Sequence, residues 1–101
     1  MTVGDLTINM LEHKVQLRGQ DVKLTPTEYR LLHELAVNYG KVLTHTVLLK
    51  RIWGPDFEAE SHYLRVFVGR LRHKIDSPDS AQSYIVTVPG VGYQLCTEST
   101  T

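Results

Sequence analysis

The sequence predicts an α+β fold: an N-terminal antiparallel sheet, three helices and a C-terminal β-hairpin. Three observations carry that prediction. Apolar and polar residues alternate through Leu6/Ile8, Val15/Leu17 and Val22/Leu24, the period-two pattern of half-buried strands. Helical spacing then takes over behind two threonine caps, Thr25 and Thr44, and again from Ser61. Finally, two β-rich runs, Tyr84 to Val88 and Tyr93 to Cys96, flank Pro89-Gly90-Val91-Gly92, a hairpin signal.

The elements follow in order. Turns at Glu12-His13 and Gly19-Gln20 fold the first strands into a meander. Thr25-Pro26-Thr27-Glu28 supplies a cap, a proline at the first helical position and a glutamate at the third, which is a capping box. Leu24 and Tyr29 are placed for a hydrophobic staple, and Leu32, Leu35 and Ala36 continue the apolar face to a terminator at Gly40. Val42-Leu43 is a short extended link. Thr44 caps a second helix bearing Leu48, Leu49, Ile52 and Trp53, stopped by Gly54-Pro55. A loop from Gly54 to Glu60 leads into the third helix. Tyr29, Tyr39, Tyr84 and Tyr93 are expected in the core or the sheets.

That third helix, SHYLRVFVGRLRHKI from Ser61 to Ile75, holds four Lys/Arg and no acid. Leu64, Val68, Leu71 and Ile75 form a core-seeking stripe, with Phe67 on its margin. The opposite face carries His62, Arg65, Val66, Gly69, Arg70 and His73, flanked by Arg72 and Lys74. Glycine in mid-helix costs about 0.5–1 kcal/mol relative to alanine, so close approach by an outside partner is a reason for it. The helix is roughly 22 Å long and fits a DNA major groove. An ordinary solvated face would mix both charge signs.

The whole chain bounds the alternatives. Its 101 residues make one domain with a modest core, from 1 to 101, with a polar tail at 97–101. Net charge is zero, yet the third helix holds +4, leaving −4 elsewhere; such asymmetry steers a polyanion. One cysteine, Cys96, makes no internal disulfide, and no signal peptide or membrane span is evident, so a cytoplasmic protein without a membrane partner is expected. Glu58 and His62 stand four apart without a third ligand, and no nucleophile–base set or phosphate loop occurs. Neither an enzyme, a metal site nor a cofactor is expected.

The segments LTPTEYRLLHEL, KVLTHTVLLKRIWG, the helix ending VGRLRHKID, and YIVTVPGVGYQL, in this order and spacing, resemble the winged-helix effector domain of OmpR/PhoB-type response regulators, from about Leu6 to Leu95. WGP followed by SHYLRVFVGRLRHKI is most similar to the KdpE-like subgroup, regulators of potassium-uptake operons. The resemblance implies a winged helix-turn-helix that binds double-stranded DNA sequence-specifically and controls transcription in a two-component phosphorelay. Helix 61–76 would enter the major groove. Arg65, Gly69 and Arg70 match base-facing positions, and His62 and Val66 share their face. Arg72 matches a phosphate-contacting position, as do Thr44, His45, Thr46 and Trp53; Tyr63, His73 and Lys74 are grouped with them. The wing, 84–96, would approach the adjacent minor groove with Thr87, Pro89, Gly90, Val91 and Gly92. Family members often have arginine where this chain has Pro89, which weakens minor-groove reading.

The same resemblance assigns the 54–60 loop (Pro55, Asp56, Phe57, Glu58, Ala59 and Glu60) to RNA polymerase. Its acids would be repelled by phosphates, and Phe57 adds an exposed apolar group; the alternative is Phe57 folded back onto Trp53. Full-length relatives carry an N-terminal receiver domain whose phosphorylation promotes homodimerisation on tandem half-sites. These residues lack it, so an isolated effector fragment is expected. The rival function is a winged-helix protein-interaction module that sets its basic helix on an acidic partner.

Individual residues have competing roles. Arg70 offers guanine a bidentate fork, worth about 1–3 kcal/mol of discrimination, against about 0–1 kcal/mol for a surface ion pair. Val66 either meets a thymine methyl or fills the edge of the core. Trp53 reads first as a core anchor. Gly90 and Gly92 read first as turn glycines.

Overall fold

The computed structural model describes residues 1–57, 60–76 and 84–96. Four short strands, β1 (Thr2–Val3), β2 (Leu6–Asn9), β3 (Lys14–Leu17) and β4 (Gln20–Val22), form an antiparallel meander in sequence order. Helix α1 (Pro26–Val37) follows, then strand β5 (Leu43–Thr44) and helix α2 (His45–Ile52). A 3-10 turn at Pro55–Phe57 leads to helix α3 (Ser61–Ile75), and β6 (Ile85–Val88) and β7 (Gly92–Leu95) complete the chain. The second sheet has the order β5-β7-β6, so β5, just ahead of α2, is stitched to the C-terminal hairpin.

One core lies under all of it. Val3, Leu6, Ile8 and Val15 line the inner face of the meander, and Leu31, Leu32 and Leu35 of α1 are buried with them. Leu48, Leu49 and Ile52 of α2, the four-residue stripe of α3, and Ile85, Tyr93 and Leu95 of the hairpin close it. The α3 stripe is therefore a core face, with Phe67 half-buried at its margin as its spacing requires. α3 packs against both α1 and α2, which fixes the direction of its opposite face.

The capping box is complete: Glu28 N–H donates to Thr25 Oγ1 at 3.2 Å, and Thr25 N–H donates to Glu28 Oε1 at 2.9 Å. Gly40 has φ of +81°, the left-handed conformation expected after a helix end. Thr44 Oγ1 accepts from Val47 N–H at 3.2 Å and caps α2.

Several details differ from the sequence reading. β1 is an additional strand; two residues are too few to show a period, and pairing with β2 creates it. The second turn is Arg18-Gly19, both at positive φ, so Gln20 already belongs to β4. Tyr39 lies past the end of α1 and is 41% exposed rather than in the core. Tyr84 precedes its strand, and its hydroxyl accepts from Asp5 N–H at 3.1 Å, joining the hairpin to the meander. The 97–101 tail, Glu58 and Ala59 lie outside the described residues. No helix among those described is long and apolar enough to cross a membrane.

Candidate nucleic-acid interface

Burial of Leu64, Val68, Leu71 and Ile75 leaves α3 one way to face. His62, Arg65, Val66, Gly69, Arg70 and His73 are all exposed on its outer side. Val66 is 46% exposed, so it does not fill the core edge. Among the described residues neither Arg65 nor Arg70 has a carboxylate within salt-bridge distance, so their charges face solvent uncompensated. Arg70 lies over the Phe67 ring at 5.0 Å, a cation–π contact that restrains the guanidinium without occupying its donors.

Gly69 sits at the middle of this face. A methyl group built on it would meet nothing within 4 Å, so no neighbour inside the domain requires a glycine there. The space above it is open to an outside body. Gly69→Ala is expected to stabilise the free domain by about 0.5–1 kcal/mol through helix propensity. Gly69→Leu should fold, while affinity for operator DNA falls progressively from Gly to Ala to Leu in mobility-shift titrations. Equal affinity in all three would remove the argument for close approach.

The N-terminus of α2 lies beside the wing. His45 N–H donates to the Val91 carbonyl at 3.3 Å, and the His45 ring meets Tyr93 edge-on at 5.5 Å. Thr46 is exposed in the same first turn, where the helix dipole favours an anion, although the His45 and Val47 N–H groups are already paired within the domain. At the wing tip Pro89, Gly90 and Val91 are exposed, with Gly90 at φ +76° and Val91 N–H closing the turn on the Val88 carbonyl at 3.0 Å.

Several expected contact residues are engaged within the protein. Arg72 donates Nε and Nη2 to the Ile85 carbonyl at 3.1 and 2.8 Å, and Nη2 to Thr87 Oγ1 at 2.6 Å. It also lies 5.9 Å from the Tyr93 ring centroid. Arg72 is thus foremost the fastener between α3 and the wing rather than a free phosphate anchor. Lys74 Nζ donates to Glu28 Oε1 at 2.6 Å, tying the end of α3 to the start of α1. Gly92 is not a turn glycine: it is buried at negative φ, and a methyl there would run into the Leu43 carbonyl oxygen of β5.

An aromatic cluster braces the start of α3. Trp53 is half-buried, stacked on Tyr63 at 6.3 Å and edge-on to Phe67 at 5.3 Å, which makes it an anchor. His62 stacks on Tyr63 at 4.6 Å. Phe57 meets Tyr63 edge-on at 5.8 Å and is half-buried, so it is neither the free apolar group expected nor folded onto Trp53. Pro55 and Asp56 are exposed, whereas Glu60 is half-buried as the residue before α3.

Glu28 is the residue that sequence reasoning undervalued. It is 1% exposed, the only buried charged side chain among the described residues. Burial pushes its carboxyl up, but the Lys74 hydrogen bond, the Thr25 backbone bond and the Lys74 charge together hold it below its ordinary value. The signal was present in the sequence: the capping-box glutamate and an unmatched cation on α3.

Three comparisons place this geometry among known proteins. Residues 19–95 match the family model described as transcriptional regulatory protein, C terminal. The chain is 39% identical over 92 residues to the KDP operon transcriptional regulatory protein KdpE of Escherichia coli K12, covering 91% of this chain and 41% of that protein. Identity to Mycobacterium tuberculosis KdpE is 41% over 89 residues, covering 88% and 39%. The chain thus spans about two-fifths of the length of these relatives. Among solved structures, the DNA-binding domain of Klebsiella pneumoniae RstA in complex with the RstA box superposes with a TM-score of 0.84 at 29% identity, covering 95% of both chains. The Thermotoga maritima OmpR/PhoB homologue DrrB gives 0.84 at 31% identity, covering 95% of this chain and 43% of that one. The overall fold is the one these solved structures share, and the chain belongs to the C-terminal transcriptional regulatory family, the winged-helix effector domains of OmpR/PhoB-type response regulators.

Proposed function

We propose that the chain binds double-stranded DNA sequence-specifically by laying α3 in the major groove. The observation that carries this reading is the exposed α3 face, where uncompensated Arg65 and Arg70 flank the open space at Gly69. Arg65 and Arg70 address base edges, with Val66 and His62 beside them. The α2 N-terminus (Thr44, His45, Thr46), Tyr63 and His73 follow the phosphate backbone. The wing tip, Pro89 to Val91, reaches the neighbouring minor groove by backbone and shape, because proline has no charge to insert. Thr87, already accepting from Arg72, keeps its hydroxyl proton for a phosphate oxygen.

In the parent regulator this domain acts on transcription in the cytoplasm, with no catalysis of its own. A receiver domain would pair two copies on tandem half-sites about one helical turn apart. The exposed Pro55–Asp56 segment and the acids after it would meet RNA polymerase, while Phe57 serves as its hinge on Tyr63.

Arg70→Ala tests the groove assignment. Affinity for a site selected from a random duplex pool should fall by about 1–3 kcal/mol, and affinity for scrambled duplex should fall less. An unchanged ratio between the two duplexes rejects the base-reading role. The logarithm of the binding constant should also fall linearly with the logarithm of salt concentration, as phosphate contacts require. A flat response would favour an acidic protein partner instead.

A further inference from the structure

Away from α3 a second cationic hollow opens at the opposite end of α2, about 10 Å along the helix from its N-terminus. Its volume is about 150 Å³, and its walls are His13 from the β2–β3 turn, Tyr29, Arg30, His33 and Glu34 of α1, and Arg51 with Ile52 of α2. Its charges do not cancel. Arg51 is paired with Glu34 at 3.1 Å, and Arg30 only caps the Arg51 carbonyl at 3.2 Å, with no acid partner among the described residues. One full positive charge is left over.

A second feature points to the same place. Tyr29 is 6% exposed, and its hydroxyl is buried without any hydrogen-bond partner. A buried donor left unmade is costly and calls for a reason. Its ring is covered by His13, stacked at 4.6 Å and 17°, and His33 lies 5.9 Å away on the next turn. His13 is itself unusual, held at φ +56° on an exposed turn, where a side chain other than glycine's is strained.

We propose that this hollow is an oxyanion site, taking a carboxylate or phosphate group against Arg30, with the His13 ring as its movable cover and the Tyr29 hydroxyl as the donor uncovered when His13 swings aside. The surplus charge excludes a cation. The size suits a small anionic group rather than an extended ligand. Occupancy would reach α1 through Tyr29 and α2 through the Arg51–Glu34 pair, the two helices on which α3 is seated.

Inorganic phosphate and acetate, titrated separately into the domain at constant ionic strength, distinguish the two oxyanions. The readouts are the imidazole carbon-bound proton resonances of His13 and His33 and the Arg30 Nε–H resonance. Saturable shifts in at least one series are expected, and the tighter series names the class. Arg30→Gln should weaken that binding by about tenfold, the loss typical of one charge-assisted hydrogen bond. Tyr29→Phe should raise the melting temperature of the ligand-free domain, because an orphaned hydroxyl is gone, and should shrink the further rise that the anion produces. Shifts that never saturate with either anion overturn the site, as do shifts of equal midpoint in Arg30→Gln. A Tyr29→Phe variant that keeps the full anion-induced rise overturns the role of the hydroxyl. Operator binding is measured on the same variants; its loss at Arg30→Gln without anion would assign Arg30 to the DNA face and also overturn the proposal.

Discussion

Gly92→Ala should remove about 3 kcal/mol or more of folding stability, the largest loss expected of any single methyl group in this domain. The reason is backbone against backbone. A Cβ at Gly92 would collide with the Leu43 carbonyl oxygen and come within 2.8 Å of Thr44 Cα. Neither atom belongs to a side chain that can rotate away, so the β5–β7 pairing of Leu43 with Tyr93 and Thr44 with Gly92 would have to part. That pairing also positions Thr44 as the cap of α2. Urea unfolding should show a much lower midpoint, with operator binding weakened even where the domain is still folded. Gly90→Ala is the control: its φ of +76° makes alanine strained, but the space around it is open, so about 1 kcal/mol is expected. A Gly92→Ala midpoint no lower than that of Gly90→Ala would refute the steric account.

Lys74→Met should cost about 2–3 kcal/mol at neutral pH. Breaking one side of a buried ion pair typically costs about 3–5 kcal/mol, and the partial exposure of Lys74 lowers that figure. The variant strands the Glu28 carboxylate at 1% exposure with only Thr25 for support. The acid limb gives the sign. Because the folded Glu28 carboxyl lies below its ordinary value of 4.5, its contribution is complete above 4.5 and is lost as pH falls through the folded value. In Lys74→Met burial acts with less opposition, so the carboxyl moves up from its wild-type position and less stability is lost when it protonates. The gap between wild type and variant should therefore be widest at neutral pH and close on acidification. A gap independent of pH would mean that the methylene stem of Lys74, not its charge, stabilises the junction. Glu28→Gln combined with Lys74→Met should recover part of the loss, since no buried charge is then left unpaired.

What could be read from the chain alone was whatever a local signal encodes. The Thr25 and Thr44 caps, the α3 stripe and the Pro89-Gly90 turn are each set within a few residues, and each appears where its chemistry puts it. What escaped depends on residues distant in sequence. Gly92 looks like the second glycine of a turn until β5, nearly fifty residues earlier, is laid against it. Arg72 and Lys74 look like two more cations of a DNA-facing helix until the Ile85 carbonyl and Glu28 arrive beside them. Half of the positive charge of α3 is thus spoken for by the fold, and Arg65 and Arg70 remain for an outside partner. Phe57 was misjudged for a nearer cause: its exposure depended on how the loop turns into α3 and where Tyr63 projects from it.

The Arg72 fastening has a thermodynamic corollary. A hairpin that flexed freely in solution would surrender that freedom on meeting DNA, and association would be weakened by the lost entropy. Here one guanidinium bonds to both the first residue of β6 and the Thr87 hydroxyl two residues on, so helix and wing are tied together within the domain itself. The ordering was completed during folding. Under the proposed binding mode, the preset distance between helix and wing would favour duplexes whose groove spacing already matches it.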